Sequence, residues 1–74
     1  MKVTYDPEVD ALYILLRDVK SDDTLEVEQG VIVDLDPDGH IVGLEVLDAS
    51  KRLTPTELTN LFYQNPLLAA SEAP

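Results

Sequence analysis

Apolar and polar positions alternate along most of the first fifty residues, and this alternation predicts strands. Val3 and Tyr5 fall in phase within residues 2–5. Residues 11–16, ALYILL, are apolar at both parities, the pattern of a central strand covered on two sides. Leu25 and Val27 alternate with Glu26 and Glu28 across residues 24–29, as in a half-exposed strand. Val31, Val33 and Leu35 set the phase of residues 31–36, and residues 41–48 form a return strand. Turn residues separate these segments. Asp6-Pro7-Glu8 is a turn in which proline presets φ and the aspartate carboxylate bonds the backbone two residues on. Residues 20–24, KSDDT, are a polar turn. Gln29-Gly30 either ends one strand or bends it into the next.

The hairpin over residues 31–48 is the segment around which a core would form. Its turn, Asp36-Pro37-Asp38-Gly39, suits a type I turn with glycine in the left-handed position of a G1 bulge. That turn sets Leu35 opposite Ile41 and Val33 opposite Gly43. A plain four-residue loop sets Val31, Val33, Val42 and Leu44 on one face instead, which is the more apolar arrangement. A one-residue slip exchanges the two faces, so the register governs any site on the hairpin.

Residues 49–53 read as a linker. Thr54-Pro55-Thr56-Glu57 then announces a helix, with Thr54 as cap, proline at the first helical position and Glu57 completing a capping box. Leu58, Leu61 and Phe62 share one helical face, and Asn65-Pro66 stops the helix after at most about three turns. The expected fold is α+β: one domain over residues 1–65, a small, mainly antiparallel sheet of four to five strands, and one C-terminal helix packed on it. Residues 66–74 are expected to be a tail.

Composition changes the picture in one respect. The 74 residues carry 15 acidic and 5 basic side chains, a formal charge of −10, and no cysteine. This disfavours nucleic acid and anionic membranes, whose phosphates need clustered Lys or Arg. It permits a basic protein partner. Disulfides and thiolate metal sites are excluded, and the single histidine leaves no His-rich zinc site. A chain this short gains little net stability from its own core, so oligomerisation, with a dimer as the simplest case, is the expected support. No signal-peptide run opens the sequence, and its longest apolar run is six residues, too short to span a bilayer. A cytoplasmic protein is expected.

Several separated motifs, KVTYDPEVDALYI and VEQGVIVDLDPDGHIVGLEVLDAS, resemble the bacterial and archaeal family catalogued as domain of unknown function 2283. The matching positions are Tyr5, Asp6, Asp10, Ala11, Tyr13, Gly30, Val31, Asp34, Gly39, Gly43, Glu45, Asp48, Ala49 and Ser50. Many relatives carry proline at the position of Gln29 and arginine at that of His40. The resemblance covers about the first fifty residues. It implies a small β-rich fold and no assigned activity. Some members are encoded beside small toxin-like proteins, so it also implies an antitoxin-like role as an expectation.

Four groups are candidates for chemistry. Asp34, Glu45 and Asp48 are carboxylates that could hold Mg²⁺ or Ca²⁺ or share acid–base work. Counted from Asp34, Gly39 is sixth and Glu45 twelfth, the spacing of an EF-hand loop. A strand on each side opposes that reading, because Glu45 then recedes from the turn at about 3.4 Å per residue. His40 has no nucleophile partner and reads as an exposed turn residue. Tyr5 and Tyr13, with Glu45, are candidate partner-binding residues, although aromatic residues in strands more often pack within the sheet. Lys51-Arg52 is the only adjacent basic pair and reads as a solvated linker. The expected function is a non-enzymatic, self-associating acidic interaction module without a cofactor, directed in addition at a basic partner. The alternative is a small metal-dependent binder or enzyme using the carboxylates.

Overall fold

The computed structural model describes residues 1–67. Five strands form one antiparallel sheet: β1 (Lys2–Asp6), β2 (Ala11–Leu15), β3 (Asp23–Glu28), β4 (Val31–Leu35) and β5 (Ile41–Val46). Their spatial order is β1-β2-β5-β4-β3, so the hairpin strands β4 and β5 and the apolar β2 fill the centre. Among the described residues two short helices follow the sheet, α1 (Ala49–Arg52) and α2 (Pro55–Thr59), and residues 66–67 are again helical. The chain is α+β, with a fully antiparallel sheet.

The turns behave as their residues dictate. Asp6 accepts a 2.9 Å hydrogen bond from the Glu8 amide, closing the β1–β2 loop. Gln29-Gly30 joins two separate strands, with Gly30 at φ 82°. At the central hairpin the Gly39 amide donates to the Asp36 carbonyl and the Asp36 amide to the His40 carbonyl, with Gly39 at φ 83°. This is the G1-type turn, and it pairs Leu35 with Ile41. One residue further on, Val42 is extra on β5, so Asp34 pairs with Gly43 and Val33 with Leu44. Both register readings were therefore half right. The turn fixes the pairing beside it, and a second bulge restores the phase that gathers Val31, Val33, Val42 and Leu44 on one face. The Val42 carbonyl accepts from the Leu16 and Arg17 amides, so the bulge leaves it partnered.

Two local expectations are corrected. Residues 49–53 are not a plain linker, because Ala49–Arg52 is helical and Ala49 is fully buried. The second helix keeps its predicted start: Thr54 and Glu57 form the capping box, and Pro55 opens the first turn. It ends at Thr59, well before Asn65. The Thr59 hydroxyl and the Asn60 amide donate back to the Pro55 and Thr56 carbonyls, groups that would otherwise continue the helix. Leu61 and Phe62 consequently lie beyond the helix, outside the apolar stripe expected for them. Of the expected tail, residues 68–74 lie outside the described residues.

Alternation assigns the two faces of the sheet. On one, Val3, Ile14, Leu44, Val33 and Leu25 form an unbroken row across all five strands. Tyr5, Leu12, Val46 and Val31 form the next row. We call this face A. Face B carries Thr4, Tyr13, Glu45, Ile32 and Glu26 in one row and Lys2, Leu15, Gly43, Asp34 and Thr24 in the other. Helix α2 lies over the β1–β2 end of face A, where a groove is lined by Val3, Tyr5, Leu12, Ile14, Leu58 and Leu61. On the other side of face A, Val33 of β4 is buried, and the exposed apolar side chains are Leu25 and Val27 of edge strand β3.

Candidate functional site

Three polar nodes hold the sheet in shape. The first is Asp10, which sits at φ 54° before β2. One carboxylate oxygen accepts from the Tyr5 hydroxyl at 2.7 Å and the Ser50 amide at 3.0 Å. The other accepts from the Ser50 hydroxyl at 2.6 Å, and the Asp10 carbonyl accepts from the Ala49 amide. Helix α1 lacks a side-chain cap from its own neighbour Asp48, and Asp10 supplies one from 40 residues away. The Ser50 hydroxyl and then Tyr5 hold the Asp10 carboxyl below its ordinary range. The same bond raises the Tyr5 phenol.

The second node is Asp36. It accepts from the Asp38 and His40 amides, both at 2.9 Å, and from the Arg17 guanidinium at 2.8 Å. The His40 amide is the main cause of its lowered pKa. The third node is Tyr13, whose hydroxyl donates to Asp34 at 2.7 Å. The ring reaches Asp34 by crossing Gly43. A Cβ on Gly43 would lie 2.2 Å from the Tyr13 oxygen, so only glycine admits this path. Asp34 pushes the phenol up to about 12, which leaves Tyr13 a protonated donor at neutral pH.

These nodes account for the candidate carboxylates. Asp34 and Glu45 share face B, as the metal reading required, but Tyr13 lies directly opposite Glu45 and takes Asp34. Asp48 stands apart at the N-cap of α1 in left-handed backbone, near Lys51 and Arg52. Among the described residues no three His, Cys, Asp or Glu side chains gather closely enough to hold a metal ion. The twelve-residue calcium spacing is dispersed along the hairpin, with Asp36 turned to Arg17. Arg52 is not a solvated linker residue. Its guanidinium lies against Gly30, donates to the Gln29 carbonyl and pairs with Glu28 at 2.7 Å. His40 is exposed at the turn. Tyr5 belongs to face A, whereas Tyr13 and Glu45 belong to face B, so the three do not form one surface.

Face A is the surface that sequence reading left unassembled. Its strand residues are apolar except Asp23 and Glu28 at the two ends of edge strand β3. Leu25 and Val27 on that strand are 54% and 55% exposed. Beyond α2, Leu61 is 74% and Phe62 85% exposed. Among the described residues the buried apolar side chains are few: Ala11, Val33, Val42 and Ala49. Alternation at residues 24–29 sets Leu25 and Val27 on one side, but a register shift between Glu26 and Glu28 leaves Val27 outside the pairing, so Leu25 continues the row through Val33 and Glu28 stands opposite Val31.

The sequence profile of a family described as proteins of unknown function, DUF2283, matches residues 2–50. The chain belongs to this family. The matched DUF2283 region holds all five strands and ends at Ser50, the residue that Asp10 grips. An uncharacterised protein of Methanocaldococcus jannaschii is 39% identical over 51 residues, covering 69% of this chain and 43% of the relative. The match to this DUF2283 chain thus spans less than half the length of that relative. No solved structure matches. Among the described residues no helix is long and apolar enough to cross a membrane.

Proposed function

We propose that this DUF2283 protein is a non-enzymatic protein-interaction module whose contact surface is face A. The observation that carries the reading is the five-strand apolar row, which runs from the α2 groove to exposed Leu25 on edge strand β3. Contiguous apolar patches of this kind on a soluble domain mark association sites. The polar nodes favour a scaffold role over catalysis. The Asp10, Asp34 and Asp36 carboxylates are each engaged by hydrogen-bond donors within the fold, and the Ser50 hydroxyl is donated to Asp10. The acidic charge contributes separately. Glu26, Asp34 and Glu45 lie on face B, where they would steer a basic, toxin-like partner toward the domain without touching the apolar contact.

The test is co-expression of the tagged chain with an untagged copy of itself and with the product of the adjacent gene. Retention of either, lost on Leu25→Lys and kept on Glu45→Lys, supports the reading. A bait that retains neither, or that retains its partner equally well with Leu25→Lys, refutes it.

A further inference from the structure

Resting on that reading, we propose that the occupant of face A is a second copy of this chain. The two sheets stack about a two-fold axis parallel to the strands. Each copy's α2, with Leu61 and Phe62, then seats on the β3–β4 half of the other.

Surface area argues for a missing partner. A chain of 8.2 kDa folded to ordinary compactness exposes roughly 4,500 Å². This one exposes 5886 Å². The surplus is on the order of 1,000 Å², against the roughly 800 Å² that each partner buries in a standard interface. The shape agrees: the molecule measures 46 × 36 × 19 Å, and its radius of gyration is 14.8 Å where about 11 Å is usual for this length. Part of that excess lies beyond α2, where Leu61, Phe62, Tyr63 and Leu67 are all largely exposed.

Charge argues that the partner is a copy. Each chain carries −10, so two copies repel unless their acids are kept apart. Face A permits that. Of its strand residues only Asp23 and Glu28 are charged, and Glu28 is already paired with Arg52. Stacking A on A leaves Asp6, Glu26, Asp34 and Glu45 on the two outer faces. A basic partner gains nothing electrostatically on a surface with so little charge, whereas a copy gains a matching apolar row.

Asymmetry of cover sets the axis. Helix α2 occupies only the β1–β2 half of face A. An axis perpendicular to the strands would set α2 on α2 and wedge the open halves apart. An axis parallel to the strands places β1 over the partner's β3. Leu61 and Phe62 then meet Leu25 and Val27, the four being among the most exposed apolar residues of the chain.

Sedimentation equilibrium at micromolar concentration is expected to give twice the chain mass. Leu25→Lys and Phe62→Ser should each weaken the dimer at least roughly 30-fold, a hot-spot loss. Both side chains are largely exposed in the single chain, so far-UV circular dichroism should be unchanged. Because the chain has no cysteine, Leu25→Cys mixed with Phe62→Cys should form the mixed disulfide under oxidation. A chain that sediments as a monomer, or a dimer that both substitutions leave intact, overturns the proposal, and exclusive Leu25→Cys self-crosslinking overturns the axis. A monomer that still retains the neighbouring gene product through Leu25 would remove the second copy and leave the interaction reading standing.

Discussion

Gly43→Ala tests the packing of face B with one methyl group. The new Cβ would sit 2.2 Å from the Tyr13 oxygen, 2.8 Å from its Cζ and 3.4 Å from the Ile14 carbonyl. The structure has two ways to respond. The ring stays and β5 shifts, an overpacking cost of about 1–3 kcal/mol. Or the ring swings away and the hydrogen bond to charged Asp34 is lost, about 1.5–3 kcal/mol. Against either stands the gain of about 0.5–1 kcal/mol from replacing glycine within a strand. The net expectation is destabilisation by about 1–2 kcal/mol in urea unfolding at fixed protein concentration. In a Tyr13→Ala background the obstruction is gone. There Gly43→Ala should stabilise by about 0.5–1 kcal/mol, reversing its sign. A second readout is independent of stability: in Gly43→Ala the Tyr13 phenol, raised to about 12 from an ordinary 10.0, should titrate nearer its ordinary value. If Gly43→Ala matches wild type in both measurements, Tyr13 does not cross Gly43 and the account of face B is wrong.

Four further outcomes follow from the same geometry. The raised Tyr13 phenol contributes stability that is full below about pH 10 and lost as pH rises toward 12; Tyr13→Phe should flatten that alkaline decline. Asp10→Gly accepts the left-handed backbone but removes the cap, so hydrogen exchange should quicken at Ser50 and Lys51 while β4 and β5 stay protected. Thr54→Ala should cost α2 about 1 kcal/mol of local stability, seen as faster exchange at Leu58 with a smaller change in global unfolding. Added salt should tighten self-association by screening two chains of like charge, and should weaken capture of any basic partner. Self-association that weakens with salt would mean the contact depends on ion pairs and not on face A.

The strands were legible because period-2 alternation and turn residues agree from residue 2 to 46. The second helix announced its start through the capping box, which is local chemistry. Its end was not legible: Thr59 and Asn60 stop it through side chains that also occur within helices, while Asn65-Pro66 offered a more conspicuous stop. Helix α1 was hidden because its cap comes from Asp10, 40 residues earlier in the chain. Nothing local to residues 48–53 encodes that bond. Gly43 looked like an ordinary strand glycine until Tyr13 was found lying across it. Face A was present in the sequence as five separate half-strands, and only their common register makes them one surface.

The extra residue at Val42 separates two instructions that a simple hairpin must satisfy together. The DPDG turn chooses how the strands meet beside it, and the sheet chooses which side chains share a layer. With the bulge between them, neither constrains the other. A tip that reached Gly43 with one residue fewer would need no bulge. Removing Val42 alone would keep the turn and leave Gly43 opposite Asp34 and Leu44 opposite Val33 in a regular ladder, at the cost of a buried side chain and of the carbonyl that accepts from Leu16 and Arg17. The bulge is in effect a phase adjuster that lets the hairpin tip vary independently of the sheet beneath it.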